Sequence, residues 1–118
     1  MVMKLSEAIR LGSMLKPQGF GPTHNDGTHS CALTAALDAI GKSGYYADIC
    51  YHFTTPAMRV TQPVSGEDML ALSAIRELND RHRWTREQIA DWIDTFDSAA
   101  SVPQSVDAVD PVGVRSTP

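Results

Sequence analysis

His29-Ser-Cys-Ala-Leu-Thr-Ala-Ala-Leu-Asp-Ala-Ile-Gly41 is apolar in nearly every direction once wound into a helix. Ser30 can cap its start, and Gly41 with Gly44 can stop it. Between those limits the polar residues are Thr34 and Asp38. They stand four apart, so with Ser30 and Lys42 they predict one narrow solvated line. Every other direction shows Ala32, Leu33, Ala35, Ala36, Leu37, Ala39 or Ile40, the pattern of a buried helix. The alanines would let neighbouring helices approach closely. The expectation is a central helix at about 30–40 with the rest of the chain packed around it.

Working outward, Leu5 to Leu15 reads as a first helix. Leu5, Ala8, Ile9, Gly12 and Leu15 fall on one stripe, widened by Leu11 and Met14, with Ser6, Glu7, Arg10 and Ser13 opposite. Lys16-Pro17 ends it, because the residue before a proline avoids helical geometry. Residues 17–29 hold glycines, prolines and Asn25-Asp26-Gly27, which predict a loop with a tight turn, pinned to the core by Phe20. On the other side, Ile49, Tyr51 and Phe53 alternate with Cys50 and His52 as in a short strand, and Arg59-Val-Thr-Gln reads as a second. Pro56 and Pro63 limit both, so residues 45–64 have room for a small β-hairpin or irregular cover.

Ser65, with Asp68 three residues on, predicts the start of a third helix that buries Leu70, Ala71, Ala74, Ile75 and Leu78. Asn79-Asp80 ends it. Thr85, with Gln88 as its partner, opens a fourth helix carrying the apolar stripe Ile89, Trp92, Ile93 and Phe96, with Glu87, Asp91 and Asp94 facing water. After Asp97 the helical period disappears, and 98–118 reads as an extended or disordered tail. The expected fold is therefore mainly α. One helical domain spans 1–97, with four helices around the central one.

Composition narrows the function classes. A chain of 118 residues is long enough for one domain, and 42% hydrophobic with 20% charged residues is ordinary for a soluble globular protein. A net charge of −4 opposes a protein that coats nucleic acid or an anionic membrane. No apolar run approaches the ~18 residues of a membrane span. The opening Met-Val-Met-Lys-Leu-Ser-Glu lacks the apolar stretch of a secretory signal, so the expected location is the cytoplasm. Cys31 and Cys50 are expected as free thiols there.

Three segments carry a resemblance. Leu5-Ser-Glu-Ala-Ile-Arg-Leu-Gly, Ser30-Cys-Ala-Leu, and Leu78-Asn-Asp-Arg-His-Arg-Trp-Thr-Arg-Glu-Gln-Ile-Ala-Asp-Trp together resemble a group of small, uncharacterised bacterial and phage proteins. The resemblance spans residues 4–95 and is most specific in its last motif. It implies a compact unit carried by bacterial or mobile-element genomes, and it implies no activity.

Two constellations bear on chemistry. His24, Asp26, His29 and Cys31 lie close in sequence, and Cys50 with His52 would complete a mixed zinc set. No C-x-x-C or H-x-x-x-H pair accompanies them, so a plain polar loop is preferred and no metal or other cofactor is expected. Cys31 at a helix start would gain thiolate character and, with His24, His29 or His82 as base, could act as a nucleophile. Gln18 followed by Ser30-Cys31-Ala32 is faintly similar to papain-like proteases, but the spacing departs from that pattern. A buried structural cysteine is preferred. The second constellation is Arg76, Arg81, Arg83 and Arg86 around Trp84, at the junction of the third and fourth helices. Arginine forks suit carboxylates and phosphates, and Trp84 is either an aromatic anchor or the hinge between the helices. The turn and recognition helix needed for helix-turn-helix are missing after Asp97. The leading expectation is a non-enzymatic protein-binding module, an accessory or inhibitor protein of a phage or mobile element, using this patch on a protein partner. The first alternative is a nucleotide- or nucleic-acid-binding protein using Arg81–Arg86. The second is a cysteine- or metal-dependent enzyme at His24–Cys31.

Overall fold

A computed structural model describes residues 3–21, 27–42 and 46–101. Four helices form: α1 Leu5–Gly12, α2 Ala32–Ala39, α3 Ala71–Asp80 and α4 Arg86–Ser101. Two strands, β1 Arg59–Thr61 and β2 Asp68–Leu70, pair antiparallel with Val60 opposite Met69. The fold is mainly α with this one small sheet among the described residues.

α2 is a core helix, with Ala32, Leu33, Ala35, Ala36 and Leu37 all buried. Its details depart from the expected pattern. Cys31, not Ser30, is the cap residue, and the Thr34 hydroxyl accepts the Cys31 N–H at 2.9 Å. Thr34 is therefore buried and does not lie on a solvated line. Asp38 is also drawn in, with Lys16 Nζ 3.1 Å from Oδ2 as an ion pair lacking hydrogen-bond alignment.

α1 stops at Gly12, because the chain tightens into i→i+3 bonds from Met14 to Leu11 and from Leu15 to Gly12. Leu11, Met14 and Leu15 consequently stay exposed and do not widen the buried stripe. Gly12 is where α1 meets α2. A Cβ there would stand 1.7 Å from the Ala35 carbonyl oxygen, so only glycine permits this approach.

The strand expected at Ile49–Phe53 is absent. Tyr46–Tyr51 winds into a 3-10 helix that still buries Ile49, and Thr55–Ala57 forms another. The hairpin forms later than expected, where Arg59–Thr61 turns through Gly66, at φ +77°, onto Asp68–Leu70. Buried Gln62 shapes that turn, its Oε1 accepting the backbone N–H groups of Val64 and Ser65. Ser65 and Asp68 thus belong to the hairpin, and α3 begins at Ala71 with Leu70 exposed. α4 opens as read: Thr85 Oγ1 accepts the Gln88 N–H at 3.0 Å and Gln88 Oε1 accepts the Thr85 N–H at 2.9 Å.

α1 packs most extensively on α2 and then on α4, while α3 contacts α2, α4 and the hairpin. Leu5, Ile9, Leu33, Leu37, Ile75, Leu78, Ile89 and Ile93 fill one core between them. Along the α1–α4 seam Arg10 binds three carboxylates, Glu87 at 2.9 Å, Asp91 at 2.7 Å and Asp94 at 2.8 Å. These groups were expected to face water separately; here they clasp two helices. A domain limit at residue 97 falls inside α4, and residues 102–118 of the expected tail lie outside the described residues.

Candidate functional site

The junction of α3 and α4 is assembled from two side-chain hubs. Asn79, buried at the end of α3, accepts from Gln18 Nε2 at 2.8 Å and from the Ala32 N–H at 3.2 Å. Its Nδ2 donates to Gly19 O at 2.9 Å and Asp80 Oδ1 at 2.8 Å. With four bonds the carboxamide is fully used, and it ties the 17–21 loop, the start of α2 and the end of α3 together. Gln18 Nε2 also donates to Trp84 O at 2.8 Å. Arg86 is the second hub. Its Nη1 donates to Ser30 O at 3.2 Å and Ser30 Oγ at 2.8 Å, and its Nη2 to Ser13 O at 3.3 Å and Lys16 O at 2.9 Å. Burial lowers its pKa from the ordinary arginine value, partly offset by the nearby Cys31 sulfur.

The expected patch therefore divides. Arg86, 8% exposed, is part of the interior and offers nothing to a partner. Trp84 is half-buried and packs against the core between α3 and α4. Arg76, Arg81 and Arg83 remain exposed. Arg76 and Arg81 line one open groove of about 320 Å³ on α3, together with Ser73, Glu77 and Asp80. Arg83 holds the left-handed conformation, φ +58°, the one non-glycine residue to do so among the described residues. The Trp84 N–H donates to Leu78 O at 2.9 Å across it, closing the turn. Its guanidinium lies over the Phe20 ring, 4.3 Å from the centroid, so Phe20 serves as a platform for arginine and is not a core pin.

Of the His24–Cys31 constellation and its expected partners, the described residues Cys31 and the Cys50–His52 pair line separate pockets. His24 and Asp26 lie outside the described residues. Cys31 lines a pocket of about 160 Å³ with Ala32, Leu33, Ile75 and Asn79, whereas Cys50 and His52 line a different one of about 270 Å³. His29 hydrogen-bonds the Thr28 hydroxyl at 2.9 Å. The Cys31 sulfur accepts from Thr34 Oγ1 at 3.5 Å. Gln18, the other half of the protease-like pattern, has both its donor bonds directed at Asn79 and Trp84. Among the described residues no group of three His, Cys, Asp or Glu side chains could hold a metal ion. No helix among them is long and apolar enough to cross a membrane.

The structure gives weight to residues that the sequence marked only as boundaries. Asn79 reads in sequence only as a helix stop. Asp97 falls one helical turn after Ile93, on the buried side of α4, and is 3% exposed. A carboxylate on an apolar stripe was the available signal. With this geometry in hand, no protein-family model, curated protein or solved structure matches the chain.

Proposed function

We propose that the protein is a non-enzymatic binding module that recognises an acidic protein surface with Arg81 and Arg83. The observation that carries this reading is Arg83. A left-handed backbone costs a non-glycine residue on the order of 1 kcal/mol, and glycine is the usual residue just past a helix end. Here the position holds an arginine, displayed on an aromatic ring and fixed by hydrogen bonds on both sides. Strain of this kind gathers at recognition sites. The platform beneath is rigid, because Asn79 and Arg86 lock the turn to three other segments. Planar arginine forks match carboxylates, and the net charge of −4 weighs against a nucleic-acid partner. The resemblance to small bacterial and phage proteins favours an accessory or inhibitor role for such a module.

The test is Arg81→Glu combined with Arg83→Glu. The double variant should keep its circular dichroism spectrum and melting midpoint. It should also lose a protein partner that the parent retains on an affinity column. Retention of the same partner by the folded double variant removes the patch from the function. Loss confined to nucleotide or oligonucleotide binding transfers the patch to the nucleic-acid reading.

A further inference from the structure

Three large apolar side chains stand in the open at the end of α1. Leu11 is 44% exposed, Leu15 61% and Met14 75%. Their spacing of i, i+3 and i+4 puts them on one face, as a patch and not as scattered residues. The opposite side of α1 is committed at Gly12, which meets Ala35 of α2. The turn that follows is stiff. Arg86 Nη2 donates to Ser13 O at 3.3 Å and to Lys16 O at 2.9 Å, one on each side of Met14 and Leu15. The Met14 and Leu15 N–H groups bond Leu11 O at 3.1 Å and Gly12 O at 3.0 Å. The segment is thus pinned at both ends with its apolar residues outward. A rigid apolar patch of this kind loses little entropy when it is covered.

The charges on its two sides indicate what covers it. α1 packs on α4 along one flank and on α2 along the other. On the α4 flank Glu87, Asp91 and Asp94 share the guanidinium of Arg10, and Lys4 stands 3.9 Å from Asp94. That flank is acidic, with the Glu87 and Asp91 side chains more than half exposed. On the α2 flank Lys16 Nζ lies 3.1 Å from Asp38. Lys42 is exposed one turn beyond Asp38, its N–H donating to Leu37 O at 2.9 Å. Two ammonium groups there accompany one carboxylate, so that flank is basic. A nucleic acid or an anionic bilayer would meet the carboxylates of the first flank and be repelled. A second copy of the chain meets no such conflict. In a two-fold contact residue i of one copy faces residue j of the other, and j faces i. An axis running along α1 between the copies sets the acidic flank of each against the basic flank of the other.

We propose that this face of α1 is the interface of a homodimer, with Leu11, Met14 and Leu15 at its centre and Lys42 of each copy facing Glu87 and Asp91 of the other. Three side chains make a small apolar centre. The contact therefore belongs with interfaces below about 1,200 Å², and the dimer is weak and reversible. It does not use Arg81 or Arg83.

Sedimentation equilibrium of the full chain, from about 10 µM to about 1 mM, reads the association directly. The mass should climb from one chain toward two and stop there, because a two-fold contact closes on itself. Met14→Glu puts a charge at the centre of the patch and should leave a monomer across that range. Lys42→Glu sets carboxylate against carboxylate and should weaken the dimer at least about threefold. Met14 and Lys42 are both exposed, so each variant should keep the parent's circular dichroism spectrum. A parent that stays monomeric, a mass that grows past two chains, or a dimer unchanged in Met14→Glu would each overturn the proposal. So would a dimer unchanged or strengthened by Lys42→Glu, because the flanks would then not select the second copy. Capture of a monomeric parent by phosphatidylcholine vesicles, lost in Met14→Glu, would assign the patch to a lipid surface instead.

Discussion

Arg83 and Arg86 stand three residues apart at the α3–α4 junction, yet one guanidinium makes four hydrogen bonds inside the protein and the other lies on its surface over a phenylalanine ring. The difference comes from the backbone. Thr85 caps α4, so Arg86 is its first residue and its guanidinium reaches back to the Ser13 and Lys16 carbonyl oxygens and to Ser30, whose carbonyl also accepts the Gly19 N–H. Arg83 precedes the cap, in the left-handed position that turns its side chain outward. The same residue type is scaffold at one position and display at the other. Charge runs in a sequence do not reveal this division; cap positions do.

The largest effect should follow from breaking the scaffold. Arg86→Ala would take the shared donor from the part-buried Ser13 and Lys16 carbonyls and from the buried Ser30 hydroxyl, while the Ser30 carbonyl would keep the Gly19 N–H. We expect a loss of about 3 kcal/mol in urea unfolding, the scale for removing one partner of a buried charged network. Arg86→Lys should recover little, since a single ammonium cannot span two pairs of acceptors. Full stability in the lysine variant would mean that one point charge suffices and that the fork geometry is incidental.

How much of this was legible depended on the range of the interaction. α2 as a buried helix and the Thr85–Gln88 cap could be read because periodicity and capping are local, although α2 is capped by Cys31 and not by Ser30. Ser65 and Asp68 form an equally good local pattern, but Gln62 captures the Val64 and Ser65 N–H groups and turns the segment into a hairpin. That competition involves a buried glutamine reaching Glu77 at 3.1 Å, a contact between elements that no spacing announces. Gly12 was placed on the apolar stripe, but its closeness to Ala35 appears only when two helices cross. For the candidate site, the arginine cluster was visible as composition. Its division into interior and exterior members was not, because the acceptors for Arg86 come from residues more than fifty positions away.

A third arginine falls between the two extremes. Arg10 bridges α1 and α4 in partial contact with solvent, and Asp94 is its most enclosed partner. Burial pushes the Asp94 carboxyl up, but the Ser6 hydroxyl and the Arg10 guanidinium outweigh it and hold the pKa below the ordinary value. A carboxyl with a depressed folded pKa stabilises the fold fully above its unfolded value, near ~4. That contribution is lost as pH falls through the folded value. The Asp94 side chain is 36% exposed, so solvent screening limits the effect to about 1 kcal/mol. Asp94→Asn should therefore be less stable than the parent at pH 7, with the gap closing as the pH drops below about 4. A gap that persists in acid would assign the loss to packing rather than to the ion pair.

The smallest effect on stability should come from the displayed residue, and it is the one that sharpens the functional reading. Arg83→Gly relieves a left-handed backbone worth about 1 kcal/mol. Against that, glycine adds chain entropy to the unfolded state, roughly 0.5–1 kcal/mol, and the contact with Phe20 is lost, roughly 0.5–1 kcal/mol for an exposed cation–π pair. The terms nearly cancel, so urea unfolding should move by less than about 1 kcal/mol. Partner retention should fall clearly, though less than in the Arg81→Glu, Arg83→Glu variant, because one of the two carboxylate-binding forks has gone. If Arg83 served only to hold Phe20 in place, the outcomes would reverse: stability would drop clearly and the partner would still bind. Glycine fits the backbone at this position better than any other residue, so a stable variant that binds less well would mean that the arginine is there for recognition and not for the fold.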